Sequence, residues 1–406
     1  MSSFHGLVRS LLLTITAYVF LTSSGYGQPP PKVVVSDNCG NTAMGTQVLI
    51  LVIADCYPGY SNTGAGLWAL KFNFTGSYNS AFGESALFAN TTGNRNSAFG
   101  EEALWSNTSG SKNTASGSAA LLSNTIGYAN TAAGVLALGG NTSGAYNSAF
   151  GVEALAGNYT GIANTALGVH ALVSNITGNN NTAAGVHSLE ANSTGSNNTA
   201  HGFQSLHTNT LGYGNTALGA QALLSNTTGF NNIGVGLNAG SAVTAGSHNI
   251  HIGAAGSSGD SAKIRIGTQG IQTGAYIAGI SGTQVTGAAV YVTSGGQLGV
   301  LASSVRYKTA VQPMGRRSEN ISQLRPVTFH LRNEPHGDVQ YGLLAEEVAK
   351  VYPELVIRNE SGQAEGVRYE ELTPMLLNEV QRQQQELQEL KRQVAELREL
   401  QHKMHH

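Results

Sequence analysis

The strongest constraint on this chain is an asparagine that returns every 17 residues. Twelve such asparagines follow one another without a gap, from Asn62 to Asn249, and each has a glycine four residues later, from Gly66 to Gly253. Residues 17 positions apart stay equivalent only where successive repeats stack as turns, each burying the apolar side of its neighbours. The period therefore predicts a mainly β fold, a repeat solenoid (β-roll) with 17-residue turns, over residues 62–253.

Three further columns keep the same interval. Leucine fills one from Leu70 to Leu223, a second asparagine column runs from Asn73 to Asn226, and a second glycine column runs from Gly76 to Gly246. We expect the leucines and neighbouring alanines to form a thin core, and the asparagines to form ladders of side-chain amides. The glycines suit corners where φ is positive or where backbones approach closely.

Each repeat also predicts its own local structure. The stretch from its first asparagine to the following glycine predicts a short strand, and the next seven residues fit either one helical turn or a second short strand. At about 4.8 Å per stacked turn, twelve turns predict a rod of roughly 55–60 Å.

The unit Asn-Ser-Ala-Phe-Gly, Asn79 to Gly83, resembles the head repeats of trimeric autotransporter adhesins. The likeness covers residues 41 to about 253, including an irregular first unit, Asn41 to Gly45, set apart by a four-residue insertion. It implies a left-handed parallel β-roll and an adhesin-like rod. Regular threonine columns can also bind ice or a crystalline polysaccharide. A spacer or generic adhesive rod is favoured, because the repeats contain no aromatic and no charged column.

Charge is concentrated at the C-terminal end. Of the 44 Asp, Glu, Lys and Arg residues, 29 lie between Leu301 and His406. The net charge of −2 gives no electrostatic reason to expect a nucleic acid or an anionic membrane as partner. Residues 254–302 lose the 17-residue register and show short alternating segments between glycines, which predicts a β-rich neck.

Residues 1–27 have the pattern of a secretory signal peptide. Arg9 supplies the positive charge, residues 11–21 form an apolar run that is short for a bilayer, and Gly25-Tyr26-Gly27 gives the small-residue cleavage pattern. An uncleaved anchor is the alternative. The sequence therefore predicts a secreted or cell-surface protein with no membrane span in the mature chain.

The two cysteines, Cys39 and Cys56, lie in an irregular N-terminal cap, residues 28–61. In an exported protein two cysteines are expected to pair, and this disulfide would staple the start of the solenoid. The alternative is two unpaired buried thiols.

From Ser303 the texture becomes that of a small α/β domain, residues 303–375, followed by a coiled coil, residues 376–406. Residues 324–329 predict a turn and a strand, and residues 342–356 predict a strand end, a short helix stopped by Pro353 and another strand. The last helix, from about Glu371, has apolar heptad positions: Val380, Leu387 and Val394 at a, and Leu376, Leu390, Leu397 and Met404 at d, with Gln383 the polar exception. The heptads favour intermolecular pairing over a helix packed on its own domain, and leave trimer or dimer open.

Residues 303–308, Ser-Ser-Val-Arg-Tyr-Lys, followed in order by the segments above, resemble the intramolecular chaperone domain of phage tail spikes and endosialidases. The resemblance implies a homotrimer, help in folding the upstream fibre, and self-cleavage by a Ser-Lys dyad. By position the dyad is Ser303 and Lys308, and the bond cut is Ala302–Ser303. The sequence departs from the family pattern at Ser304, where that pattern usually has Asp.

The chemistry of the dyad is sound in itself. A serine hydroxyl is a poor nucleophile until a base takes its proton, and a lysine acts as that base where burial lowers its pKa. A spacing of five separates the side chains by about 140° on a helix and places them on opposite faces of a strand. An active dyad therefore needs a bend or a neighbouring chain. Without either, Ser303 is an exposed serine beside a solvated lysine.

No cofactor and no metal are expected. The spacings of His330, His336, His402, His405 and His406 match no ligand pattern, and His201, His207, His248 and His251 are interpreted as surface residues. The sequence as a whole predicts an exported trimeric fibre or adhesin-like protein whose partner is a second copy of itself. Any enzyme activity would be that of a self-cleaving serine endopeptidase. The alternatives are a non-cleaving spacer and an ice- or polysaccharide-binding solenoid.

We predict that the mature chain begins at Gln28, because signal peptidase recognises the small residues Gly25 and Gly27. N-terminal sequencing of the exported protein measures this directly. A secreted chain that still begins at Met1 would contradict it.

Overall fold

The computed structural model describes residues 34–45, 47–48, 59–278, 280, 289–293, 295–359 and 361–404. The chain divides into two compact units, residues 1–284 and 285–406. The signal peptide and Cys56 lie outside the described residues, so the cleavage site and the Cys39–Cys56 disulfide stay predictions. Among the described residues, no helix has the length and apolar character that a membrane crossing requires.

The first unit contains a single 15-stranded sheet in which each strand pairs with the next one along the chain. Its strands are β1 (Val34–Ser36), β2 (Thr42–Met44), β3 (Thr63–Ala65), β4 (Ser80–Phe82), β5 (Ser97–Phe99), β6 (Thr114–Ser116), β7 (Thr131–Ala133), β8 (Ser148–Phe150), β9 (Thr165–Leu167), β10 (Thr182–Ala184), β11 (Thr199–His201), β12 (Thr216–Leu218), β13 (Ile233–Val235), β14 (Ile250–Ile252) and β15 (Ile264–Ile266). Only the β1–β2 pair is antiparallel among these described strands.

From β3 to β14 the register advances by one repeat per turn. Thr63 pairs with Ser80, and Ile233 pairs with Ile250, each 17 residues apart. The register is wider before the array, where Thr42 pairs with Thr63, and narrower after it, where Ile250 pairs with Ile264. The predicted β-solenoid is thus confirmed, and β15 extends its sheet into the segment where the period is lost.

The interior of each turn is built from two alanines and a leucine. In one turn these are Ala81, Ala86 and Leu87, all fully buried, and the same positions recur along the array. Neighbouring residues of an extended strand face opposite sides, so Ala86 and Leu87 can both point inward only if the backbone bends between them. Leu87 accordingly has a positive φ of 52°.

The segment after each strand is therefore neither of the two predicted elements. It is a series of turns in which alternate residues, such as Ser85 and Leu87, take positive φ. Their N–H groups bond to adjacent turns instead of within a helix: Ser85 donates to the carbonyl of Leu67, and Leu87 to that of Ala103. Stacking between turns thus decides the local conformation, which the hydrophobic pattern of one repeat did not reveal.

Both asparagine columns form the predicted amide ladders. Asn79 donates its backbone N–H and its side-chain Nδ2 to Oδ1 of Asn62, at 2.9 and 3.1 Å, and Nδ2 also donates to the carbonyl of Gly93 at 2.8 Å. In the second column, Asn90 Nδ2 donates to Asn73 Oδ1 at 2.6 Å and to the same Gly93 carbonyl at 3.0 Å. The two ladders meet at that carbonyl, so buried amides are satisfied on every turn.

The two glycine columns have different physical reasons. Gly83 has a φ of 136°, a region that residues with a side chain rarely adopt. Gly93 is required by close approach, since a Cβ there would overlap the carbonyl oxygen of Gly110 and the amide of Asn90. A side chain at either column would separate the turns.

The last regular turn ends in a charged cluster, which corrects one expectation. His251 is fully buried in β14, not a surface residue, because it takes the inward position that alanine holds in most turns. Its Nε2 lies 3.1 Å from Asp260 Oδ2, and Arg265 binds both oxygens of Asp260 at 2.6 Å. The hydrogen bonds from Arg265, with that of His251, hold the pKa of Asp260 well below its ordinary value of 3.8. A lowered carboxyl pKa stabilises the fold above the ordinary value, and this stabilisation is lost only in stronger acid.

The second unit contains three two-stranded antiparallel sheets and two α-helices. Its strands are β16 (Tyr291–Val292), β17 (Leu298–Gly299), β18 (Val327–Phe329), β19 (Gln340–Gly342), β20 (Val356–Arg358) and β21 (Ala364–Val367); its helices are α1 (Ala345–Val351) and α2 (Tyr369–Met404), with 3₁₀ helices at Val305–Tyr307, Gly315–Gln323 and Pro353–Leu355. The strand–helix–strand order predicted for residues 342–356 is confirmed, with α1 ending just before Pro353.

A small core holds these elements together. Val348 of α1, Leu355 of the following 3₁₀ helix, and Leu372 and Met375 of α2 are buried against one another. Asn378 of α2 donates to the carbonyl of Gly315 at 2.9 Å, which fastens the long helix to the second 3₁₀ segment. The start of α2 therefore belongs to the domain.

We predict that Asn130→Ala destabilises the solenoid by at least about 2 kcal/mol. The change leaves the amides of Asn113 and Asn147 without buried partners, and each such group costs about 1–3 kcal/mol. Urea unfolding of the purified chain measures the difference. Thr177→Ala, at an exposed position of the same array, serves as control and should change stability by less than about 0.5 kcal/mol. Equal stability of the two variants would contradict the ladder argument.

Candidate functional site

The predicted dyad lies around a short 3₁₀ helix, Val305–Tyr307. Ser304 is the N-cap of this helix, and its hydroxyl accepts the backbone N–H of Arg306 at 3.3 Å. The backbone is extended at Ser304 and again at Lys308, so the helix forms a single bend between two extended residues. This is the bend that a Ser-Lys pair at a spacing of five requires.

The bend brings the two predicted catalytic residues together. Lys308 Nζ donates to Ser303 Oγ at 3.4 Å, near the upper limit for a hydrogen bond. Ala302, Ser303 and Lys308 are all exposed. The pair therefore has the contact needed for proton transfer, while solvent still surrounds the lysine in one chain.

The capping role explains how serine can stand where the family pattern has aspartate. Ser and Asp are both preferred N-cap residues, because each has a side-chain oxygen that accepts a backbone N–H of the first turn. Ser304 does this here, and it also accepts from Arg306 Nε at 3.3 Å. The bend that positions Ser303 and Lys308 is thus compatible with serine at this position.

Helix α2 presents a second functional feature, an apolar stripe without a cover. The predicted a and d residues from Leu376 onward are between 46% and 77% exposed: Leu376, Val380, Leu387, Leu390, Val394, Leu397 and Met404. Ion pairs flank the stripe along the same helix, such as Arg392 with Glu389 at 2.7 Å and with Glu396 at 2.6 Å. An apolar seam with paired charges beside it is typical of a helix that binds other helices.

The other predicted site residue, Cys39, lies in the turn between β1 and β2. Sequence reasoning missed one group of side chains on the solenoid, namely His170, His187 and Glu190, which the stacking brings together. The signal that could have found them is the period itself, since His170 and His187 are 17 residues apart.

Comparison with known proteins supports the C-terminal assignment. Residues 303–357 match the family described as chaperone of endosialidase, and the match begins at Ser303 itself. Neither a curated protein nor a solved structure matches this chain. The second unit therefore contains a chaperone-of-endosialidase region, and it follows a β-solenoid of about thirteen turns.

Proposed function

We propose that this chain is an exported, homotrimeric fibre protein whose C-terminal region directs assembly and then cuts the chain at the Ala302–Ser303 bond. The observation that carries the proposal is the 3.4 Å contact between Lys308 Nζ and Ser303 Oγ, at the first residue of the chaperone-of-endosialidase match. The β-solenoid supplies the fibre, and the residues 1–27 pattern supports export to the cell surface or medium.

Assembly is supported by the exposed stripe of α2. Its 36 residues give a helix of about 54 Å, and only the first turns pack on the core of the second unit. Exposed leucines in a row are unfavourable in water, and pairing with the same helix of other copies buries them. We therefore assign the stripe to a parallel bundle of identical helices.

Assembly also completes the dyad in this proposal. In one chain Lys308 is solvated, and a solvated lysine is protonated at neutral pH and cannot accept a proton. Covering by a neighbouring copy removes water and favours the neutral amine. Cleavage is then tied to the assembled state, so that uncut chains are those that have not trimerised.

The proposed step balances within the chain. Neutral Lys308 takes the hydroxyl proton of Ser303, and Oγ attacks the carbonyl carbon of Ala302. The C–N bond breaks, the nitrogen of Ser303 receives the proton, and an ester joins Ala302 to Oγ. Water then hydrolyses the ester, which leaves a carboxylate at Ala302 and a free amine at Ser303.

We predict that Leu387→Asp and Leu390→Asp each abolish assembly, because each places a charge without a partner in the helical seam. Sedimentation of the purified variants should report monomers where the unchanged chain reports trimers. Removal of residues 376–406 should have the same effect.

Gln385→Asp is the matched control for assembly. Gln385 is exposed and lies at heptad position f, away from the seam, so the same charge should leave the trimer intact. A monomeric unchanged chain, or trimers of Leu387→Asp, would show that α2 does not hold copies together.

We predict that the assembled chain yields a rod fragment and a C-terminal fragment that begins at Ser303, and that Ser303→Ala and Lys308→Ala both stop this cleavage. Gel electrophoresis and intact mass measure the products. The rate should rise with pH, because only the neutral amine of Lys308 accepts the proton, and it should not fall on dilution until the oligomer dissociates.

Two further variants sharpen the test. Ser304→Ala removes the cap of the bend but neither reacting group, so it should slow cleavage, whereas Ser304→Asp should restore it. Leu387→Asp should leave the chain uncut because it stays monomeric. Cleavage that persists in Lys308→Ala would refute the dyad, and an uncut wild-type trimer would identify a retained chaperone without peptidase activity.

A further inference from the structure

Charged residues are almost absent from the middle of the solenoid, and those present are grouped. Between Lys112 and Asp260 the chain has only two residues with a formal charge, Glu153 and Glu190. Both lie beside histidines: Glu153 with His170, and Glu190 with His187 and His207. Such a grouping on an otherwise neutral surface needs its own explanation.

The 17-residue turn places these side chains together. His170 and His187 occupy the same position of successive turns, with ring centroids 5.1 Å apart, and Glu190 follows His187 by three residues. One ligand atom from each of the three lies within 4.8 Å of the other two. The turns are fixed by the buried ladders, so the three donors are held close before any ligand arrives.

We propose that His170, His187 and Glu190 form a binding site for a divalent transition metal of the zinc class on the surface of the solenoid. Two imidazoles and a carboxylate are a common zinc ligand set, and three protein ligands leave a coordination position open. Magnesium and calcium prefer oxygen ligands and fit this set poorly. The proposal is independent of the C-terminal region and of whether the chain cleaves itself.

Neighbouring side chains fit the same reading. Glu153 Oε2 lies 3.5 Å from His170 Nε2, and a carboxylate of this kind orients metal-binding histidines. His207 Nδ1 lies 3.1 Å from Glu190 Oε2, so it can steady that carboxylate or fill the fourth position. The side chains of all five residues are between 29% and 38% exposed, which leaves an ion access from solvent.

The contacts have another use, as surface ion pairs between histidine and glutamate. Exposed pairs of this kind contribute about 0–1 kcal/mol and select no particular ion. The two uses differ in what they predict, because only a metal site binds one zinc ion per chain with an affinity that depends on all three donors.

Zinc binding to the full chain tests the proposal. The terminal histidines could bind metal themselves, so the protein is made without an affinity tag and with His402→Ala, His405→Ala and His406→Ala as the common background. Isothermal titration with Zn²⁺ should give one site per chain, and Co²⁺ should give the visible absorption of a low-symmetry site. Zn²⁺ should also raise the unfolding temperature, since it binds only the folded solenoid.

In the same background, His187→Ala and Glu190→Gln should weaken zinc binding by more than about 100-fold, because even indirect partners of a metal site change affinity by about 10–100-fold. Glu153→Gln should weaken it by about 10-fold. His201→Ala is the matched control, an exposed histidine on β11 outside the group, and should bind as the background does.

Circular dichroism of each variant separates loss of the site from loss of the fold. No zinc binding by the background chain, or binding weaker than about 1 mM, would overturn the proposal. Unchanged affinity in a folded His187→Ala variant would overturn it as well.

Discussion

The solenoid depends on the pairing of buried asparagine amides. Each turn places two asparagine side chains where water cannot reach, and each amide must find all its partners within the stack. Asn62 and Asn79 do so by repeating one arrangement, in which a single Oδ1 accepts both the backbone and the side-chain N–H of the next turn. A thin core of alanine and leucine gives little room for error. The ladder therefore fixes the 17-residue register, since a slip of one residue would leave every amide unpaired.

This fixed interior explains where the chain is free to vary. Glycine, alanine, leucine and asparagine are required at inward and corner positions, whereas outward positions carry anything from Trp68 to Glu190 at little structural cost. A stacked scaffold converts each outward position into a column, and two similar residues one period apart become neighbours. His170 and His187 are the case in which such neighbours have metal-binding chemistry.

The C-terminal region has the opposite character, because its functional parts are incomplete in one chain. The contact between Ser303 and Lys308 is formed but open to water, and the apolar stripe of α2 is formed but uncovered. Both are completed by the same event, the approach of further copies. Coupling the reaction to assembly in this way follows from ordinary physical chemistry, since burial changes both the cost of exposed leucine and the charge state of lysine.

The sequence by itself determined the solenoid, its register, the amide ladders and the order of elements in the second unit, because each depends on a pattern that repeats or on residues close in the chain. It also identified Ser303 and Lys308, through the order of motifs. Only the tertiary structure decided that Leu87 and its equivalents adopt positive φ, that His251 is buried against Asp260, and that a 3₁₀ bend capped by Ser304 joins the dyad. These features depend on contacts between turns or on the path of the backbone. A hydrophobic pattern records which residues are buried, but not the bend that buries two neighbours at once.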